Sequence, residues 1–318
     1  MAFFPLPFPE ETIYSIILRC MNYYKISLSC FLDYFFKKNR YRHFSDGLFH
    51  IIDIAKNLTN FMDEYYILNN HTNFNYLTAF FTELEANKLK NMILNPEMVN
   101  YDILYPIKSY SSHDYVKGIK KFCKYCITEQ IKEYSESWWL REWSIIGLEI
   151  CEKHKTALSY ISLNNKYNLP SDINMNECQE IIPSCKKHEL FYNSIKILNK
   201  ERQGYIDSEF FLLYLCELLE NNGIEINLTS RNNNIRLSLT SIGLSELKKV
   251  CKDFWGEKFI TEMYLLGNGM GKSRYIKNNN RDSYSTITTP QVLLLLALDQ
   301  DKNLQEILNI LYNKSWRH

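Results

Sequence analysis

The sequence predicts a mainly α-helical protein with an irregular, cysteine-rich segment between two helical regions. Apolar residues recur at intervals of three and four up to about residue 110 and again from about residue 206, as on the buried face of a helix. Residues 111–190 are poorer in that pattern and contain five of the nine cysteines. The apolar fraction of 46% is typical of a globular chain. We therefore expect three domains, at residues 1–110, 111–195 and 196–318.

The N-terminal region begins with an extended arm followed by two short helices. Three prolines within residues 1–9 are incompatible with a helix there. Glu10 and Glu11 open the first helical stretch, and the second is predicted over residues 27–37. Two short helices with a tight break predict a helix-turn-helix-like unit, and an ordinary helical hairpin is an equally good interpretation. The residues expected to face inward are Ile13, Ile16, Ile17 and Cys20 in the first helix, and Cys30, Phe31 and Tyr34 in the second.

The remaining elements follow from periodicity and from turn-forming residues. Pro96 and Pro106 mark a linker after the first helical region. Residues 224–239 alternate polar and apolar side chains, which favours a β-hairpin with its turn at Asn232 to Asn234. The apolar run from Val292 to Leu298 is expected to be core or a helix–helix interface. Further helices are predicted at 46–60, 73–81, 82–94, 207–221, 243–255 and 289–313.

The charges are balanced, with a formal net charge of +1, so any DNA-binding excess must be local. Two basic segments are candidates for contact with DNA phosphates, and a solvated loop is the alternative for each. The second segment includes Gly267 to Ser273, which is one residue short of a P-loop, so we favour a flexible basic loop near DNA over nucleotide binding. The candidate DNA-binding residues are Lys37, Lys38, Arg40 and Arg42, then Lys272, Arg274, Lys277 and Arg281.

The sharpest local signal is a pair of two-ligand turns. Cys123 and Cys126 are separated by two residues, as are Cys151 and His154, and 24 residues lie between the pairs. Four such ligands close a tetrahedron around Zn²⁺ and leave no position for water, which is typical of a structural zinc-finger or zinc-ribbon module. The alternatives are four unrelated residues and a redox-active Cys-x-x-Cys.

A second group, Cys178, Cys185 and His188, supplies three further potential ligands, and Glu177 is a possible fourth. The ordinary interpretations are an irregular structural zinc site or no metal at all. A three-ligand site that is open to water would instead make the chain a zinc-dependent enzyme. No other set of residues has spacing typical of catalysis, so we expect the protein not to be an enzyme.

Two segments together resemble the TnsD/TniQ family, and within it the chain looks closest to TnsD. The segment from Phe3 to Arg19, which contains the arm and most of the first helix, is similar to the family's Phe-Pro-x-Pro opening followed by Glu-x-x-Tyr-Ser-x-x-x-Arg. The segment between the ligand pairs resembles the family's zinc finger, with Ser135 where that pattern has Gly. The matching positions there are Tyr134, Glu136, Trp138, Trp139, Arg141, Glu142, Trp143 and Cys151 to Leu158.

The resemblance implies an adaptor that selects the insertion site of a cut-and-paste transposon. TnsD proteins recognise attachment-site DNA, TniQ forms dock onto a CRISPR Cascade complex, and both recruit the AAA+ ATPase TnsC, which brings the transposase. It also implies that Phe4, Pro5, Tyr14 and Arg19 serve a partner or the local fold. We expect most of the tryptophans near the zinc pairs to form core.

The sequence favours a cytoplasmic, nucleoid-associated protein without membrane contact. The apolar N-terminus has no basic leader and soon becomes acidic, unlike a signal peptide. The longest aliphatic run, Val292 to Leu298, is far shorter than the roughly 20 residues that span a bilayer.

Overall fold

The computed structural model is mainly helical, as the sequence predicts. It forms two compact units: Met1–Phe74 with Leu89–Pro183, and Asn75–Lys88 with Ser184–His318. The predicted domain boundaries near residues 110 and 195 remain a prediction. The structure describes residues 4–35, 62–94, 119–145, 148–162, 169–182, 205–231, 234–257, 276–277, 289–299 and 302–313.

Helices outnumber strands in the described part of the chain. The helices are α1 (Ile13–Tyr24), α2 (Leu28–Phe35), α3 (Glu64–Asn70), α4 (Phe74–Leu77), α5 (Glu83–Leu94), α6 (Lys124–Tyr134), α7 (Ser208–Asn221), α8 (Ser241–Trp255), α9 (Thr289–Leu296) and α10 (Leu304–Asn313). The strands are β1 (Ile119–Phe122), β2 (Ser159–Ser162), β3 (Gln179–Glu180), β4 (Ile226–Arg231), β5 (Asn234–Leu239) and β6 (Ile276–Lys277). Within these described residues, none of the helices combines the length and apolar character needed to cross a bilayer.

Helix α1 has the buried face that its apolar periodicity predicts. Thr12 caps its N-terminus, because the side chain accepts a hydrogen bond from the Ser15 N–H at 3.1 Å. Lys25 ends the helix in the left-handed conformation, with φ of 52°. The predicted inward residues Ile13, Ile16, Ile17 and Cys20 are all fully buried.

Helix α2 is described from Leu28 to Phe35, within the predicted range of 27–37, and its buried face differs from the prediction. Phe31 is fully buried as expected, whereas Cys30 and Tyr34 are exposed. The aromatic contacts explain the difference: Phe31 and Phe35, one turn apart, stack on each other, and both rings lie near the ring of Phe4 from the arm. The arm therefore selects which helical face is covered, a long-range effect that periodicity cannot reveal. The helix-turn-helix-like arrangement of these two helices remains a prediction, with the helical hairpin as its alternative.

Between α2 and the metal-binding region, the helical predictions are met only in part. Residues 46–60 and the linker prolines lie outside the described residues. The helix predicted over 73–81 is a single turn, α4, whereas α5 matches the prediction for 82–94. Helix α3 was not predicted; Asp63 caps it by accepting a hydrogen bond from the Tyr66 N–H at 2.6 Å.

In the first unit, three strands lie beside the two predicted ligand pairs. β1, β2 and β3 form an antiparallel sheet in that order. Phe122 pairs with Ser159 at one end of the β1–β2 register. Since Cys123 follows Phe122 directly and Leu158 precedes Ser159, the sheet fixes the spacing between the two predicted ligand pairs.

In the second unit, a predicted hairpin lies between two predicted helices. β4 and β5 pair from Ile226↔Leu239 to Arg231↔Asn234, and α7 packs against both the hairpin and α9. Helix α8 begins at a Thr240 cap. The helix predicted over 289–313 is divided into α9 and α10, where Asp299 accepts a hydrogen bond from the Tyr214 hydroxyl at 2.7 Å. The run from Val292 to Leu298 is largely buried, as predicted.

Candidate metal centre

The first ligand pair lies at a junction between a strand and a helix. Cys123 is the extended residue between β1 and α6, and Cys126 lies in the first turn of the helix. The two-residue spacing therefore places both sulfurs at one helix end. Both side chains are buried, and the exposed N–H groups at a helix N-terminus favour the thiolate form of cysteine.

The second ligand pair occupies a tight turn. Ile150 and Ala157 form an isolated antiparallel bridge that closes the turn. Inside it, the Cys151 N–H donates to the Thr156 carbonyl, and the Lys155 N–H donates to the Cys151 carbonyl, each at 2.8 Å. Lys155 has a φ of 53°, which reverses the chain within a few residues. This turn presents Cys151 and His154 on the same side as the first pair.

The structure brings these four predicted ligands into one cluster. The Cys126 Sγ lies 3.6 Å from the Cys151 Sγ and 3.3 Å from the His154 Nδ1. All four ligand atoms lie within 4.8 Å of one another. Tetrahedral zinc, with Zn–S bonds of about 2.3 Å and Zn–N bonds of about 2.0 Å, requires ligand separations of roughly 3.5–3.8 Å. The donor set and its dimensions therefore fit a four-coordinate metal ion.

Cys123, Cys126 and Cys151 are all free thiols, and the Cys126 and Cys151 sulfurs lie well beyond the roughly 2.0 Å of a disulfide bond. The three thiols instead form hydrogen bonds with one another. Hydrogen bonds from Cys126 and Cys151 hold the pKa of the Cys123 thiol far below its usual range. Hydrogen bonds with Cys123 and Cys151 raise the pKa of the Cys126 thiol, and the hydrogen bond with Cys123 raises the pKa of Cys151 to about 11. A divalent cation would favour ionisation of all three thiols, so metal binding should release protons.

Two buried or half-buried arginines join the N-terminal arm to the segment between the ligand pairs. Arg141 forms an ion pair with Glu10, and its guanidinium also donates to the carbonyls of Asn69 and Thr72, at 2.5 and 3.0 Å. The backbone N–H of Arg141 donates to the backbone carbonyl of Glu10 at 2.9 Å. This arginine therefore ties three separate pieces of chain together.

Arg19 makes the second link. Its guanidinium contacts Glu11 at 2.8 Å and Glu136 at 2.7 Å, and it lies 4.0 Å from the ring centroid of Phe8. Glu11 is fully buried, and burial raises the pKa of its carboxyl to about 7, more than the nearby Arg19 lowers it. We call the five charged residues of these two links, Glu10, Glu11, Arg19, Glu136 and Arg141, the clasp.

Aromatic packing covers the clasp. Trp138 stacks on Phe8 with ring centroids 4.2 Å apart, and its ring N–H donates to the Pro9 carbonyl at 3.2 Å. The backbone N–H of Trp139 donates to the Ser15 hydroxyl at 3.0 Å. Trp138, Trp139 and Trp143 are all buried, which confirms that they form core.

The clasp is the feature that sequence reasoning missed. All five of its residues lie within the two segments that resemble the family, but nothing in their spacing pairs an arm residue with a partner more than 100 residues away. The only available signal was the complementary charge of the two segments: the arm contributes Glu10 and Glu11, and the later segment contributes Arg141.

The residues predicted to serve a partner or the local fold lie in this arm-and-helix region. Phe4, Pro5 and Tyr14 are buried, and the Arg19 side chain is 9% exposed. Each therefore supports the local fold, and partner binding by these four residues remains a prediction.

Most of the candidate DNA-binding residues lie outside the described residues: Lys37, Lys38, Arg40, Arg42, Lys272, Arg274 and Arg281. Lys277 lies in β6, at the register position opposite Arg236 of β5. Its assignment to DNA remains a prediction, as do the other seven.

The possible second metal group is only partly described. Cys178 is half-buried, its thiol donates to the Asn174 carbonyl at 3.4 Å, and burial raises its pKa. Cys185 and His188 lie outside the described residues. Glu177 accepts a hydrogen bond from the Asn174 side-chain amide at 2.9 Å. A second site therefore remains a prediction.

The fold and the site define a class: mainly helical proteins with a Cys₃His metal module, here clasped by the chain's own N-terminal arm. Residues 2–158 match the family model for TniQ, and this stretch contains the arm, the clasp and all four ligands. Through this domain the chain belongs to the TniQ family, which is involved in Tn7-like transposition. No curated protein matches the chain.

Proposed function

We propose that this chain is a non-enzymatic target-selection adaptor of the TnsD type. It binds specific attachment-site DNA and recruits the AAA+ ATPase TnsC, which then engages the transposase. The observation that carries the proposal is the TniQ match over residues 2–158, together with two family motifs that meet in the clasp.

The metal that we propose for the cluster is a structural Zn²⁺. Three sulfurs and one imidazole nitrogen are ligands that Zn²⁺ prefers, and four protein ligands leave no position for a reacting water. The ion would act by holding the β1–α6 junction against the turn that carries Cys151 and His154. A zinc enzyme using Cys178, Cys185 and His188 would instead require a second, exchangeable metal ion, which metal analysis distinguishes.

For DNA we propose contact through phosphates by the two basic segments. Because the net charge is only +1, the attraction must come from local cations, and binding should weaken as salt is added, with a slope that grows with the number of phosphates contacted. The buried arm residues Phe4, Pro5, Tyr14 and Arg19 would serve TnsC indirectly, by shaping the surface that the ATPase contacts.

The test is an electrophoretic mobility shift with candidate attachment DNA, with and without the ATPase. We expect a specific complex that the ATPase shifts further. Replacing Lys37, Lys38, Arg40 and Arg42 together by alanine should weaken DNA binding. A matched control replaces Lys132, an exposed lysine of α6, and should leave DNA binding unchanged. Binding neither to DNA nor to the ATPase would remove the proposal.

A second candidate is a TniQ-type adaptor that docks a CRISPR Cascade complex to TnsC. The balanced charge favours it, because a protein that binds a ribonucleoprotein through protein contacts needs no strong basic surface. This candidate predicts capture by purified Cascade ribonucleoprotein and little affinity for naked duplex. The main proposal predicts the reverse.

A further inference from the structure

The two ring nitrogens of His154 have different environments. Nδ1 faces the cysteines, at 3.5 Å from the Cys123 Sγ, 3.3 Å from the Cys126 Sγ and 3.6 Å from the Cys151 Sγ. Nε2 points away from the sulfurs and lies 3.1 Å from a carboxylate oxygen of Glu129. The ring is therefore held between the cluster and one acidic side chain.

Helix α6 places the Glu129 carboxylate within hydrogen-bond distance of the His154 ring. Glu129 comes three residues after the ligand Cys126, which is about one helical turn along the same face. Its other oxygen pairs with Lys153, the residue before His154. The carboxylate therefore contacts both the ligand histidine and that residue's neighbour in the turn.

We propose that Glu129 is a positioning residue for the metal centre. By accepting the Nε2–H hydrogen bond, it selects the tautomer in which the Nδ1 lone pair is free, and it orients that lone pair toward the metal. A carboxylate in this role also makes the imidazole a stronger donor. The inference rests on the proposed zinc site, and Glu129 itself is not a ligand.

Three variants test the role of the carboxylate. Glu129→Ala removes the acceptor, Glu129→Gln keeps an acceptor oxygen without the charge, and Lys153→Ala removes only the exposed ion pair. Zinc affinity is measured by competition with a chromogenic chelator. We expect Glu129→Ala to weaken zinc binding about 10- to 100-fold. Glu129→Gln should lie between Ala and wild type, and Lys153→Ala should stay within about twofold of wild type.

A second background separates positioning from a merely structural role. His154→Cys gives a four-cysteine site that has no ring to orient, so adding Glu129→Ala there should leave zinc affinity unchanged. In the wild type, nitrogen NMR of the His154 ring should show Nδ1 bound to metal and Nε2 protonated.

The outcomes are separable. If wild-type protein binds no zinc, the proposed metal role itself fails. If wild-type protein binds zinc tightly, three results each overturn the role of Glu129: equal affinity in Glu129→Ala, equal losses in Glu129→Ala and Lys153→Ala, or the same loss in the His154→Cys background.

Discussion

At the scale of single residues, the clasp buries charges at a cost that their partners must offset. The Arg141 side chain is only 6% exposed, and it satisfies its donors with one carboxylate and two backbone carbonyls. A buried charge left without its partner costs far more than the pair contributes in net stability. The clasp is therefore expected to fix one arrangement of the arm.

Replacing Arg141 tests that expectation. Arg141→Ala leaves the carbonyls of Asn69 and Thr72 without their donor, so we expect a loss of about 2–4 kcal/mol in the free energy of unfolding. Arg141→Lys keeps the charge but not the planar fork, and should lie between alanine and wild type. Denaturant unfolding of the zinc-loaded protein measures both. A loss below about 1 kcal/mol for Arg141→Ala would contradict this account of the clasp.

Glu11 predicts a specific dependence of stability on pH. Its pKa is about 7 in the folded protein and 4.5 ordinarily, so the folded state holds the proton more tightly. The contribution of the Glu11 carboxyl to the free energy of unfolding is fully present below about pH 4.5 and is lost as the pH rises through 7. Relative to Glu11→Gln, the wild type should therefore lose about 3 kcal/mol across this window. Unfolding free energies of both proteins, at saturating zinc, measure it; a constant difference would contradict it.

At the scale of elements, the arm packs on the segment that connects the two ligand pairs of the candidate metal centre. The first ligand pair follows β1, and the second ligand pair precedes β2. The segment between the pairs carries Trp138, Trp139 and Arg141, which contact the N-terminal residues. A structural zinc site contributes on the order of 10 kcal/mol to folding. Metal loss should therefore release the arm as well as the ligand turns.

Limited trypsin digestion tests this coupling. The Arg19 side chain is almost buried, so cleavage after it should be slow when the metal is bound. Removal of the metal with a chelator should accelerate that cleavage at least tenfold, and adding zinc back should restore protection. Cleavage after Lys252, an exposed residue of α8 in the second unit, serves as the control and should not change with the metal. Equal cleavage after Arg19 with and without metal would show that the arm is held independently of the ion.

The elements also show how far the sequence could predict the fold. Strong apolar periodicity predicted α1, α7 and α8, because each buries a continuous face. The same signal missed α3, a seven-residue helix, and merged α9 with α10, because apolar residues lie on both sides of the break at Asp299. The cluster of Cys123, Cys126, Cys151 and His154 was predictable because two closely spaced pairs of soft ligands are typical of zinc sites. Glu129 and the clasp were not, since each depends on contacts between distant segments.

At the scale of the whole molecule, the TniQ match ends at residue 158, within the first compact unit. That unit contains the arm, the clasp and the metal cluster, so the family likeness and the candidate site coincide. The second unit contains the hairpin and Lys277 and lies mostly beyond the match. We expect the adaptor role of the family to reside in the first unit, and the proposed DNA contacts of the second unit to be particular to this chain.

X-ray absorption at the zinc edge, combined with metal analysis of protein purified without added metal, tests the closed site most directly. The account predicts tightly held zinc with three sulfurs at about 2.3 Å and one nitrogen at about 2.0 Å. The same spectrum should be lost in Cys126→Ser and kept in Cys30→Ser, which changes an exposed cysteine outside the cluster. Protein without tightly held zinc, or a zinc ion with an oxygen in place of one of these ligands, would contradict it.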